Sequence, residues 1–186
     1  PNELGINFIN VGGAGNYLPF LRLAKGIGLN YYIFSDAEVI PLDKMSKALK
    51  QIGINDYKIC SNVIVLPCGK NFETYLVEEG YTGVIESAIN RYHKMDDYVK
   101  DYISRHNDEK AKGGATRNYT DEDDGGRKQA LLDIMESGKT TYAEAIAKEI
   151  VSMAEKNRRV PSKIKELFYQ LSVDTGMTTV SEEKNP

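Results

Sequence analysis

The chain has 186 residues, 41% hydrophobic and 27% charged, with a formal net charge of −3; that length suits one domain with a sizeable core, or one with an appended helical part. No apolar run approaches the roughly 18 residues of a bilayer span and no signal-peptide pattern opens the chain, so a cytoplasmic protein without a membrane segment is expected. The weakly acidic balance excludes a uniformly basic coat for nucleic acid, but not a local basic groove around an acidic metal site.

The chain opens on Pro1 without an initiator Met and runs straight into an apolar stretch, as expected of a piece of a longer protein. Ile6, Phe8, Ile9 and Val11 predict a strand over 6–11, closed by Gly12, Gly13 and Gly15. Leu18, Leu21, Leu23, Ala24 and Ile27 then predict a helix ending near Gly28. A second strand is expected over 30–34, leading into Ser35 and Asp36. Met45, Leu49 and Ile52 mark a helix stopped by Gly53, and 62–66 reads as a third strand stopped by Pro67. Strand, helix, strand, helix, strand at this spacing argues for βαβ units and a parallel sheet. Beyond it the β signal fades. Helices are expected over 72–79, 81–105, 129–136, 141–156 and 162–171, with a charged, glycine-bearing mobile loop over 106–126 and a polar, fraying tail from Asp174. The domain plan is an α/β core over 1–80, a helical part over 81–173 and a flexible tail over 174–186.

Asp36 and Glu38 stand first among the residues that carry chemistry. Side chains alternate along a strand, so residues two apart at its end point the same way. Functional groups gather at the carboxyl ends of parallel strands, and two hard oxygen ligands there suit Mg²⁺ or Mn²⁺. The competing reading is a solvated turn whose Asp caps the next helix. Glu73, just past the third strand, brings a third carboxylate toward the same rim, with Asn71 a neutral oxygen donor beside it; alternatively, Glu73 is an acid in a first helical turn, where the dipole favours it. The glycines at 12, 13 and 15 read as a tight turn, with close backbone approach of a nucleic-acid phosphate as the alternative; they are no nucleotide fingerprint, since neither GxGxxG nor a P-loop lysine is present. Lys139, immediately before a helix, is either a solvated lysine or a cation beside a metal-bound phosphate. Asp121 to Asp124 lack the ligand spacing of a calcium loop. His93 and His106 have no evident nucleophile to serve, and Cys60 and Cys68, without CxxC or Cys/His spacing, read as reduced, mostly buried thiols.

The order of these motifs is more specific than any one of them. Phe8 to Asn16 with its glycines, Pro19-Phe20-Leu21, Phe34-Ser35-Asp36-Ala37-Glu38, Leu66-Pro67, Asn71-Phe72-Glu73-Thr74-Tyr75-Leu76, Gly138-Lys139 and Val160 to Leu167 follow one another along nearly the whole chain. This series resembles the C-terminal Toprim region of the OLD (overcoming lysogenization defect) family of ATP-dependent nucleases. The resemblance implies a Toprim-like, Rossmannoid parallel sheet with an appended C-terminal helical part. It implies a Mg²⁺- or Mn²⁺-dependent DNA endonuclease, joined in the full protein to an N-terminal ABC-type ATPase that brings ATP and mediates a homodimer. Asp36 and Glu38 match the family's acidic pair, usually DxD. Glu73 matches the next acidic motif as a ligand and catalytic residue, Asn71 a small polar ligand, and Lys139 the catalytic lysine. Arg158, Arg159 and Lys163 are then candidates to hold the DNA backbone, or a solvated face. The sequence departs from the family in lacking the glutamate motif upstream of the glycine turn and any Walker motif, so weak metal binding and poor cleavage are expected of this chain alone. The alternative class is a non-catalytic metal- or DNA-binding α/β module, receiver-like or a degenerate Toprim; against the receiver stand a first strand ending in glycines and the long helical part.

Overall fold

The computed structural model describes residues 5–12, 16–67, 69–111, 118–120 and 124–176. The chain forms two compact units, one built from 1–71 and 162–186, the other from 72–161.

In the first unit, α1 (Tyr17–Ile27), β1 (Ile33–Ser35), α2 (Val39–Gln51) and β2 (Val63–Val65) follow in order, with a single 3₁₀ turn at Tyr57–Ile59 before β2. The strands pair in parallel, Ile33 opposite Val63 and Ser35 opposite Val65. Both helices stop where the sequence says they should. Gly28 takes the left-handed conformation at the end of α1, with φ 71°, and Gly53 has φ 94° just past α2. Alternation along the strands sends Ile33, Val63 and Val65 to a core with Leu21, Met45, Ala48, Leu49 and Ile52 of the α1–α2 layer. Ile64 faces the other way, onto Leu167 and Leu171, with Tyr32 and Phe34 packed around them. Those leucines belong to α8 (Ser162–Asp174). The helix expected to close the helical part therefore joins the sheet instead, because its apolar stripe covers the second sheet face. Tyr32 Oη donates to Asp174 Oδ2 at 2.5 Å and ties the end of α8 to the approach to β1.

The strand expected over 6–11 does not form. Among the described residues the sheet has two strands, and Phe8 and Ile9 are 65% and 60% exposed. β-forming side chains stabilise a strand only when a neighbour and a covering layer receive them. Here the Phe8 ring lies edge-on to Phe168 of α8 at 6.4 Å.

The second unit contains α3 (Phe72–Leu76), a π-helical turn at Val77–Tyr81, α4 (Thr82–His93), α5 (Tyr98–Ala111), α6 (Gly125–Ser137) and α7 (Lys139–Ser152), with a 3₁₀ turn at Lys156–Arg158. Ile85, Ala88, Ile89, Val99, Ala130, Leu131, Ile134 and Met135 are among its buried side chains. The single helix expected over 81–105 is two. Lys94 adopts φ 54° after α4, and the Asn90 side chain stabilises the break by donating to Asp96 O and accepting from Val99 N–H. The region expected to be a mobile loop, 106–126, is only partly described. α5 runs on to Ala111 and α6 starts at Gly125, while Tyr119 is buried, donating to Asp133 Oδ2 at 2.9 Å and exchanging backbone bonds with the Asn107 side chain. Residues 112–117 and 121–123 lie outside the described residues, as does the tail from 177.

Candidate metal centre

β1 delivers Ser35 to the floor of the α1–α2 layer, where it is buried and its hydroxyl lies 3.2 Å from Tyr17 Oη. The strand alternation continues past the last ladder residue. Ala37 is buried like Ser35, whereas Asp36 is half-buried and Glu38 exposed. Asp36 and Glu38 thus flank buried Ala37, between the end of β1 and the start of α2.

The exit of β1 is fastened to that of β2 by backbone. Leu66 N–H donates to Ser35 O at 3.0 Å, and Ala37 N–H donates to Lys70 O at 2.8 Å. Lys70 N–H in turn closes a tight turn on Pro67 O at 3.1 Å, with Gly69 at φ 78°. This ladder holds residues 36–37 and 70–71 together, so Asp36 and Asn71 leave the same end of the sheet. Glu38 sits at the start of α2 in extended backbone, φ −66° and ψ 152°, without a side-chain capping bond. The Glu38 carbonyl, not its carboxylate, serves the helix, accepting from Leu42 N–H at 3.1 Å. Lys70, which the sequence did not single out, belongs to the same rim. The signal was the turn chemistry of Pro67 and Gly69, which fixes where its backbone must go.

Glu73 lies in the first turn of α3, the opening element of the second unit. Lys139 begins α7, directly after Gly138, and its side chain lies outside the described residues. The glycine turn is visible in part: Gly12 has φ 72° and its N–H donates to Asn10 Oδ1 at 2.9 Å, a tight Asx turn. Gly13 to Gly15 and Cys68 lie outside the described residues, and Cys60 is a half-buried free thiol. Among the described residues no three His, Cys, Asp or Glu side chains gather into a self-sufficient metal cage. Two carboxylates at a strand exit are the donor set that Mg²⁺ accepts while keeping water and substrate phosphate in its remaining positions.

The basic residues near the end of the second unit are spoken for. Arg158 donates from Nη2 to Glu79 O at 3.0 Å and Gly80 O at 2.9 Å, with its guanidinium over the Tyr81 ring. Arg159 Nε donates to Met153 O at 2.7 Å, and in the first unit Lys163 pairs with Glu166. His93 is equally committed. It stacks flat on Tyr98 at 3.6 Å and its Nε2 lies 2.8 Å from Tyr142 Oη. Burial lowers the imidazole below its usual range, and burial with neighbouring Tyr98 and Tyr92 raises the Tyr142 phenol, so the imidazole is favoured in its neutral form and the phenol keeps its proton.

The chain is thus a mixed α/β protein, mostly helical, with a small parallel sheet of two strands among the described residues. No helix among the described residues is long and apolar enough to cross a membrane. Comparison with protein-family models, curated proteins and solved structures returns no match.

Proposed function

We propose that the chain is a divalent-metal-dependent DNA endonuclease domain of the Toprim type, the nuclease part of a larger ATPase–nuclease of the OLD kind. The observation that supports it best is the exit of β1, where Asp36 and Glu38 flank buried Ala37, whose N–H is bonded to Lys70 O. Asp36 and Glu38 supply hard oxygen ligands for Mg²⁺ or Mn²⁺, and Asn71 adds a neutral one. An ion held by these residues would supply a water molecule of lowered pKa and would offset negative charge on the phosphodiester. The new P–O bond forms from that water as the ester P–O bond to the leaving strand breaks. The resemblance alone adds Glu73 as a further ligand and catalytic carboxylate, and Lys139 as the cation that stabilises developing negative charge. It also supplies the DNA substrate, the ATPase partner, the full-length homodimer and the cytoplasmic setting.

Titration calorimetry with Mn²⁺ on the 186-residue chain tests the pair directly. Binding is expected in the wild type and is expected to weaken at least tenfold in Asp36→Asn, with the circular dichroism spectrum unchanged. Equal binding by wild type and variant would sink the assignment. In the full-length protein, Asp36→Ala is expected to abolish Mg²⁺-dependent plasmid nicking; metal binding without any wild-type cleavage would leave a non-catalytic binding module in its place.

A further inference from the structure

Ser35 is a buried polar residue at the last position of β1, immediately before Asp36. Its hydroxyl donates to Asp36 O at 3.1 Å. A serine hydroxyl has one proton, so the 3.2 Å contact with Tyr17 Oη is donated by the phenol. A hydrogen-bonded chain therefore runs from Tyr17, the first residue of α1, through Ser35 to the Asp36 carbonyl. The other edge of the same peptide unit is held as well, because Ala37 N–H donates to Lys70 O at 2.8 Å. The preceding peptide is fastened through Ser35 O, which accepts from Leu66 N–H at 3.0 Å.

We infer that Tyr17 and Ser35 are positioning residues for Asp36: they fix the peptide that follows it, and with it the direction in which its side chain leaves the main chain. The inference rests on the reading of Asp36 as a metal ligand, and it adds the first residue of α1 to the parts that shape the site. A peptide unit is planar, so bonds to its carbonyl and to its N–H on opposite edges leave the plane little freedom. Leu66 holds the peptide before Asp36, while Ser35 and Lys70 hold the one after it, so the backbone torsions between the two are set. Outer hydrogen bonds of this kind orient a ligand, and a metal site loses affinity when they are removed. Without the Tyr17 donor the Ser35 oxygen is left short of a partner in a buried place, and its hydroxyl is released to turn away from Asp36 O. For the fold alone the pair contributes little, because a neutral hydrogen bond adds only modest net stability.

Mn²⁺ titration calorimetry and amide hydrogen exchange read by NMR, both on the 186-residue chain, test the pair. Tyr17→Phe and Ser35→Ala are each expected to weaken Mn²⁺ binding about three- to tenfold, the span of one hydrogen bond, and to speed exchange of Ala37 N–H with or without metal. Because the two belong to one chain of bonds, the double variant is expected to fall no further than Ser35→Ala alone. Lys25→Met is the control: it removes a bond from α1 to Ile52 O, at the end of α2, and is expected to lower stability while leaving Mn²⁺ affinity and Ala37 exchange as in the wild type. Wild-type binding with unchanged affinity in either Tyr17→Phe or Ser35→Ala would overturn the positioning role and leave Asp36 standing as a ligand. Equal weakening by Lys25→Met would overturn it too, reducing the effect to a general loosening of the fold. A wild type that binds no Mn²⁺ would instead defeat the metal reading itself, and the positioning role with it.

Discussion

Replacing Arg158 with alanine is expected to destabilise the second unit without altering any contact to DNA. The guanidinium donates to two backbone carbonyls, Glu79 O and Gly80 O, and its plane lies 5.0 Å from the centroid of the Tyr81 ring. Tyr81 answers by donating its hydroxyl to Arg158 O at 2.8 Å. The carbonyls belong to the π-helical turn, where Gly80 takes φ 83°. Each charge-assisted hydrogen bond contributes about 1.5–3 kcal/mol when shielded, and an exposed cation–π contact about 0.5–1 kcal/mol. Gly80 is exposed and Arg158 only half-buried, which places the net loss near the lower end, about 2–3 kcal/mol. Urea denaturation followed by far-UV circular dichroism reads this as a lower midpoint with an unchanged slope. Arg158→Lys is expected to recover less than half of it, because an ammonium lacks the planar fork that reaches both carbonyls. A midpoint within error of wild type for Arg158→Ala would refute the clasp, and a selective loss of the salt dependence of DNA binding would return Arg158 to the phosphate backbone.

Lys25→Met keeps the aliphatic stem but removes the donor to Ile52 O at the end of α2; a loss of about 1–2 kcal/mol is expected by the same denaturation assay, and no change would show that water replaces the ammonium. Partial burial and the Asp174 carboxylate push the Tyr32 phenol up to about 12. Its folded-state value lies above the unfolded one, so the stabilisation is intact below pH 10 and is lost as pH rises from 10 towards about 12. Tyr32→Phe is expected to flatten that alkaline decline in melting temperature; an identical decline in the variant would separate Tyr32 from it. Gly80→Ala forces a side chain into a left-handed conformation with its Cβ 3.2 Å from Arg158 Nη2, and about 1–3 kcal/mol of destabilisation is expected; a neutral result in thermal melts would mean that the turn relaxes.

The βαβ stretch of the first unit was legible because local signals and tertiary needs agree there. Gly28 and Gly53 stop helices by the left-handed conformation that their sequence context announces, and the apolar runs around Ile33 and Ile64 find both a partner strand and covering layers. The run over 6–11 carries equally strong β propensity, but propensity says nothing of whether a partner is present. Likewise, no local signal marks Lys94 as a helix end; the break depends on Asn90 reaching across to Asp96 and Val99. For Asp36 and Glu38 the sequence shows their place just past an apolar strand run. What fastens it, the Ala37 bond to Lys70, joins residues 33 positions apart and follows only from the parallel register. Arg158 and Arg159 looked like free surface cations because their acceptors are backbone carbonyls, which a sequence does not display.

The first unit is interrupted in sequence: its two described strands end at Val65, but one face stays bare until Leu167 and Leu171 arrive about a hundred residues later. During synthesis the α3–α7 unit therefore leaves the ribosome whole before the sheet unit can close. Tyr32, Phe34 and Ile64 must spend that interval uncovered, available to chaperones or to premature aggregation. A chain truncated after Pro161 is stranded in that state permanently, and its acidic pair rests on a sheet with only one side packed.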